Sequence, residues 1–246
     1  MTTLRDLSGR LVTRFVPQSL RFRLHDAAIL QRAAGRTQVD PTTFSADAHA
    51  RSQQRWRQAR PQTDLTWNES LSGQGFISKV AQHAGLTDAT RILEIGPGYG
   101  RLLTAYLEQG LPFASYTGLD ISEHNVSYLS ERFTDPRISF IQGEVSSTEV
   151  PEFDLCISSL VFKHFYPTFE PALVNLARSV SEHGRFVFDL LEGRRTYFEH
   201  DDTTYVHCYE PADVTPIVTA AGLRMIEFDH VEHGPNQVRL LVVAGR

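Results

Sequence analysis

From Trp67 onward the chain alternates two hydrophobic patterns. One is the short apolar run of strand length: Ile92, Leu93 and Ile95, then SYTGLDIS from 115, ISFIQGEV from 138, FDLCIS from 153 and RFVFDLLEG from 185. The other places apolar residues at helical spacing, as in Asn68–Ala84, Arg101–Gln109, EHNVSYLSERF, FEPALVNLARSVSEHG and EPADVTPIVTAAG. Gly85 is a stop for the first of these helices, and Ser122 is placed to cap the third. Strands alternating with helices predict an α/β domain with a parallel sheet covered on both faces. The chain closes with LRMIEFDHVEHGPNQVRLLVVAGR, two strands joined at Gly234, Pro235 and Asn236. That is a hairpin, so the last strand is antiparallel.

The N-terminal pattern differs. Leu4, Leu7, Leu11, Val12 and Phe15 fall at helical spacing, Pro17 interrupts them, and SLRFRLHDAAILQRAAG reads as a second amphipathic helix. Residues 41–61 are polar and alanine-rich, with Trp56 as their one large apolar anchor. The expected organisation is a basic helical cap or lid over 1–66 and a catalytic-type α/β domain over 67–246.

Charge sharpens that division. Residues 1–60 carry eleven arginines, no lysine and four acidic residues, a net +7, whereas the rest of the chain is −12. Such a segment fits a cap over an acidic domain, a homodimer element, or an arm for a polyanion such as RNA. No apolar run approaches the length of a membrane span, and no apolar block follows the first arginines as a signal peptide requires. Cys156 and Cys208 lack metal-ligand spacing and read as reduced thiols, so the expected location is cytoplasmic.

The first strand ends in E-x-G-x-G-x-G: Glu94, Gly96, Gly98 and Gly100, with a helical pattern starting at Arg101. Glycines let the chain turn sharply and let a ligand approach the backbone at a free helix N-terminus. A dinucleotide pyrophosphate favours G-x-G-x-x-G there, and Glu94 would repel it. A carboxylate can instead receive the ammonium of an amino-acid moiety. The second strand ends in Asp120, about 20 residues on, where a carboxylate can accept both hydroxyls of a ribose.

These residues resemble motif I and its successors in the class I, Rossmann-like S-adenosylmethionine (SAM)-dependent methyltransferases. The resemblance covers roughly Trp67–Arg246. It implies a doubly wound, seven-stranded, mostly parallel sheet with an antiparallel last strand. It implies SAM as cofactor, held by Glu94, Gly96 and Gly98, by Asp120 and Ile121, by Glu144 and Val145 near the adenine, and by Ser159. Trp67 either closes over the cofactor or is structural. A weaker resemblance to methyltransferases of methylmannose-type polysaccharides implies a saccharide acceptor.

On the acceptor side, an alcohol needs its proton removed as the new bond forms, and an imidazole titrating near neutrality suits that task. His164 is the candidate base, or else shapes the cofactor site, and Asp189 and His207 are the next catalytic candidates. The stretch 192–211 holds Tyr197 and Tyr209, which with Tyr166 offer aromatic faces for a sugar. The same stretch is also compatible with a solvated loop. A divalent metal such as magnesium is conceivable through Asp189, Glu192 and His200 or His207, although no fixed ligand spacing supports it. The expected activity is O-methylation of a small hydroxylated acceptor. The alternatives are an RNA or other natural-product methyltransferase, or a SAM-binding regulatory protein without turnover. Nucleic acid is disfavoured, because the fourth strand runs into SSLVFKH and lacks an NPPY-like motif.

Overall fold

The computed structural model describes residues 46–60, 73–199, 204–232 and 238–246. The two helices expected before residue 41, Trp67, His200 and the turn expected at 234–236 lie outside them.

The described chain begins with helix α1 (Ala46–Arg57). Then come α2 (Gln74–Ala84), β1 (Arg91–Ile95), α3 (Arg101–Glu108), β2 (Ser115–Asp120), α4 (Glu123–Arg132) and β3 (Ile138–Gln142). β4 (Phe153–Ser158), a 3₁₀ turn (Phe162–His164), α5 (Phe169–Leu176) and β5 (Val180–Leu190) follow. The rest is β6 (Thr196–Glu199), β7 (Thr204–His207), α6 (Pro211–Ala220), β8 (Arg224–Glu232) and β9 (Val238–Gly245). Seven strands form one sheet in the order β3-β2-β1-β4-β5-β9-β8. The five from β3 to β5 are parallel, and β9 runs antiparallel to both β5 and β8.

Strand parity makes two cores, one on each face. Leu93, Ile95, Phe186, Phe188, Leu240 and Val242 meet α5 and α6 on one side. Ile92, Ile157, Val187, Leu241 and Val243 meet α2 and α3 on the other. Glu94 shares the parity of Ile92, so its carboxylate enters the α2/α3 face of a strand buried on both sides. At the opposite end of the sheet Arg91 donates from its backbone N–H and its guanidinium to Asp154, three bonds of 2.9 Å that align the starts of β1 and β4.

Two expectations need correction. The helix read over 169–184 ends at Leu176, because Val180 already pairs with Phe153 and residues 180–184 belong to β5. The solvated loop left open for 192–211 does not hold at its described residues, where Thr196–Glu199 and Thr204–His207 form a two-stranded antiparallel ladder of their own.

An aromatic cluster carries the core toward the sheet's C-terminal edge. Phe162 of the 3₁₀ turn contacts Phe188 edge-on at 5.1 Å and Phe169 at 5.2 Å, so the turn is seated on β5 and α5. Phe188→Ala should cost about 3–5 kcal/mol, the range for truncating a buried Phe. Chemical denaturation checks it, and the expected sign is a lower midpoint at unchanged slope.

Candidate active site

A cleft opens at the C-terminal ends of β1, β2 and β4, the edge at which open α/β sheets bind ligands. Its floor is the turn from β1 into α3. Gly96 adopts φ +67°, and a Cβ there would come within 2.7 Å of Val161 Cγ2. Gly98 adopts φ +59° and Gly100 φ +84°. Asp120 at the end of β2 fixes this turn. Its Oδ2 accepts from the Gly98 N–H at 3.0 Å, and its Oδ1 accepts from Ser122 N–H at 2.9 Å and Asn125 Nδ2 at 3.1 Å. The carboxylate expected at a ribose therefore also ties the glycine turn to the N-terminus of α4.

Two buried charges face each other across the floor. Glu94 is 2% exposed and accepts from the Tyr116 hydroxyl. Burial pushes its carboxyl up to about 7, against the opposing pull of the Tyr116 bond and the Arg101 charge. Arg101, the first residue of α3, donates from Nη2 to Ser159 Oγ at 2.9 Å. Burial lowers its pKa, and the Asp189 charge opposes the shift. Burial likewise raises Asp120, partly offset by the amides it accepts from.

The far wall is the turn after β4. Ser158 Oγ donates to the Ile95 carbonyl at 3.0 Å, locking β4 to the end of β1. Leu160 takes a left-handed φ of +70°, unusual for a branched residue, and Asp189 holds it there. Asp189 Oδ1 accepts from the Leu160 N–H at 2.8 Å, and Oδ2 accepts from Ser159 Oγ at 2.5 Å.

His164 lines the cleft at the end of this turn. Its Nδ1 lies 2.7 Å from the Tyr205 carbonyl of β7. A carbonyl only accepts, so Nδ1 carries a proton there, and Nε2 is the nitrogen that can take up or release one. Trp56 of α1 packs on the imidazole with ring centroids 4.8 Å apart. His49, Ser52 and Gln53 bring more of α1 to the cleft. The segment is pinned from both sides: Ser122 Oγ donates to the Ala59 carbonyl at 2.7 Å, and the Tyr205 N–H donates to Ser52 Oγ at 3.5 Å.

The expected cofactor residues Glu94, Gly96, Gly98, Asp120, Ile121, Glu144, Val145 and Ser159 all line this one cleft. Trp67 lies outside the described residues. Glu144 turns its carboxylate into its own loop, accepting from the Ser146 amide at 3.3 Å and from the Ser146 hydroxyl.

Of the catalytic candidates, only His164 reaches the cleft. Asp189 is spent on the turn after β4. His207 stacks on Tyr166 at 4.6 Å and meets Tyr209 at 4.5 Å, and burial lowers its pKa to about 4. Tyr166, Tyr197 and Tyr209 do not line the cleft either: Tyr209 belongs to the main core and Tyr197 to a small cluster with Leu191, Val206 and Cys208. Sequence reasoning missed Arg101, Trp56 and the α1 wall. Trp56 was visible as the one apolar anchor of its segment.

Among the described residues no three His, Cys, Asp or Glu side chains converge as metal ligands, although Glu192 pairs with His230 at 3.0 Å. No described helix is long and apolar enough to cross a membrane.

Comparison with known proteins supports the same assignment. Residues 93–188 match a family described as a methyltransferase domain. A ribosomal RNA small subunit methyltransferase of Arabidopsis thaliana is 33% identical over 92 residues, 36% of this chain and 25% of the relative. The fatty-acid O-methyltransferase of Mycolicibacterium smegmatis is 29% identical over 103 residues, 41% of this chain and 37% of the relative. The chain thus spans well under half the length of these curated relatives. Among solved structures, the 1,6-didemethyltoxoflavin-N1-methyltransferase of Burkholderia thailandensis, with bound 1,6-didemethyltoxoflavin and S-adenosylhomocysteine, superposes with a TM-score of 0.71. That match covers 86% of this chain and 94% of that one at 19% identity. Residues 93–188 thus resemble a methyltransferase domain, and the chain shares the Rossmann-like fold of the S-adenosylhomocysteine-bound enzyme it superposes on.

The raised Glu94 carboxyl has a stability consequence. The folded state holds its proton more tightly than the unfolded chain does. Glu94's contribution is therefore complete below its unfolded pKa near 4.5 and is lost as pH rises through about 7. Glu94→Gln should flatten that decline: relative to wild type, the ligand-free variant gains melting temperature between pH 5 and pH 8. Thermal melts across that range check it, and parallel curves would remove Glu94 as the cause.

Proposed function

We propose that this protein transfers the methyl group of SAM to an oxygen of a small acceptor, with His164 as the general base. The observation that carries the proposal is the His164 imidazole at the cleft wall, with its Nδ1 proton directed to the Tyr205 carbonyl.

The cleft fits the cofactor by its chemistry. A backbone cradle that a Cβ at Gly96 would fill suits a ligand lying against the main chain. Buried Glu94 suits an ammonium, and Asp120 suits ribose hydroxyls beside the amide it already accepts from. The Val145 backbone, with its side chain 4% exposed, suits an adenine edge. Bound there, SAM supplies an electrophilic methyl on a sulfonium. The protein's own part is to exclude water with Trp56, Val161 and Phe165 and to hold the acceptor in line for displacement. His164 then receives the hydroxyl proton at Nε2 as the carbon–oxygen bond forms.

The acceptor is narrowed by what the cleft lacks. The expectation of a saccharide rested on a weaker family resemblance and on the aromatic faces of Tyr166, Tyr197 and Tyr209, and none of these three lines the cleft. Its wall sets Trp56, Leu160, Val161 and Phe165 beside a few polar groups, among them Ser52, Gln53 and Thr168. That lining suits an apolar acceptor bearing one reactive oxygen, in keeping with the fatty-acid O-methyltransferase among the relatives. The ribosomal RNA enzyme shares 92 residues with this chain, and no feature of the cleft favours a flipped base.

Methyl transfer from radiolabelled SAM to a panel of fatty acids, phenols and saccharides tests the proposal. On a hydroxyl acceptor, His164→Ala should lower turnover by roughly 10²–10⁴-fold and leave affinity for S-adenosylhomocysteine nearly unchanged. The wild-type rate should rise with pH as the imidazole loses its proton, and that limb should be missing in the variant. Equal losses of cofactor affinity and rate would make His164 a cofactor-shaping residue instead.

A further inference from the structure

β9 is buried along its whole length and apolar apart from its final glycine and one cation near its start, Arg239. Leu240 pairs with Leu190 and Leu241 with Asp189, so Arg239 stands just past the C-terminal end of β5. That is the edge at which the cleft opens, two strands beyond β4. Arg239 alternates with Leu241 and Val243 and therefore enters the α2/α3 face. It is 8% exposed there, and among the described residues its Nε and Nη1 are buried without a hydrogen-bond partner.

The acidic groups of this face are engaged elsewhere. Asp189, the diagonal neighbour on β5, accepts from the Ser159 hydroxyl and the Leu160 N–H. Asp229 of β8 accepts from Lys79 and lies 3.4 Å from His83. Glu94 accepts from Tyr116. The neighbouring charges are mostly cations. Burial lowers the pKa of Arg101 at the cleft, and the Arg239 charge adds to that effect. On its other side Arg239 acts with Lys163 and Arg195 on the Cys208 thiol, which burial raises to about 11. A buried guanidinium with unmet donors is costly, and such groups persist where a bound molecule supplies the anion.

We infer that Arg239 is the receptor for a carboxylate carried by the methyl acceptor, so that the acceptor is an apolar hydroxy acid. The inference rests on the O-methyl transfer proposed above. A molecule extending from the cleft along the sheet edge, away from the glycine turn, meets Arg239. Arg101, Arg239 and Asp189 together leave one surplus positive charge, which a single carboxylate balances. A carboxylate held by a guanidinium is a poor nucleophile, so it serves as the handle. A hydroxyl on the same molecule attacks the methyl, and His164 receives its proton. Fixing one end at Arg239 while Trp56, Val161 and Phe165 enclose the body limits where that hydroxyl can lie.

Titrations into protein saturated with S-adenosylhomocysteine test this, because the groups that hold the cofactor are then already occupied. β-Hydroxydecanoate and its neutral amide form one pair of probes, and acetate and acetamide form a pair without the apolar body. Wild type should bind β-hydroxydecanoate about 10-fold or more tighter than the amide, and acetate should raise the melting temperature more than acetamide does. Arg239→Met should lose both preferences and keep wild-type affinity for S-adenosylhomocysteine, which also shows that it is folded. Should that variant fail to fold, Arg239→Lys replaces it: the charge stays but the planar donors go, so a reduced preference for the acid is expected.

Wild type without a preference for the acid in either pair overturns the inference, and so does a preference that survives undiminished in the variant. A folded variant that loses affinity for S-adenosylhomocysteine also overturns it, by assigning Arg239 to the cofactor. Acid-selective binding without methyl transfer to any acceptor sinks the proposed transfer and leaves Arg239 a carboxylate receptor. Wild type that binds no S-adenosylhomocysteine sinks the cofactor reading alone, and the same pairs on the ligand-free protein then decide Arg239.

Discussion

A carboxylate held out of water at the end of the central strand is the constraint on which the rest of the site depends. β1 lies between β2 and β4 and is covered on both faces, so every side chain in it should be apolar. Glu94 breaks that rule, and its neighbours are arranged around the breach. Tyr116 donates to it from β2, Arg101 brings a positive charge from α3, and the glycine turn beyond it opens the strand's end to a ligand. Burial makes the charged form unfavourable in the empty protein. A cationic ligand reverses that balance, so the same burial that weakens the ligand-free fold at neutral pH favours binding. Local strain or unsatisfied charge kept at a binding site is a recurring trade of stability for function.

The acceptor wall is a second arrangement built on the first. Ser158 bonds back to the Ile95 carbonyl, so the end of β4 is registered on the end of β1. From there Asp189 reaches across from β5 to hold Ser159 and the left-handed Leu160, which directs the chain into the 3₁₀ turn bearing His164. The β6–β7 ladder sets the imidazole tautomer through Tyr205, and α1 closes over the ring with Trp56. Asp189 is thus a positioning residue: its chemistry is spent on shaping the wall.

That the residues expected to hold a cofactor share one cleft was legible because the information is local. Glu94, Gly96, Gly98 and Asp120 sit at strand ends that hydrophobic runs mark clearly, and a strand end in a parallel sheet has one place to go. The far wall of the cleft was not, because it is assembled from α1, the turn after β4, β5 and the β6–β7 ladder, and no sequence spacing records which face each presents. Tyr197 and Tyr209 show the difficulty. Their aromatic faces suit a sugar or a core equally, and only the ladder's packing sends them inward. Asp189 shows it too: strand parity shared with Val187 put its carboxylate under the turn rather than at the reacting centre. The helix expected over 169–184 failed for a related reason, since Val180 is drawn into the sheet by Phe153 before the helix can continue.

The most direct test of the account is a calorimetric titration with S-adenosylhomocysteine at pH 7, repeated in two buffers of different ionisation enthalpy. A ligand ammonium arriving beside Glu94, whose carboxyl burial raises, favours the charged form and so release of its proton. The account predicts saturable binding at one site with net release of a fraction of a proton, and loss of that release in Glu94→Gln. Binding whose heat is independent of buffer, or no binding at all, would contradict it.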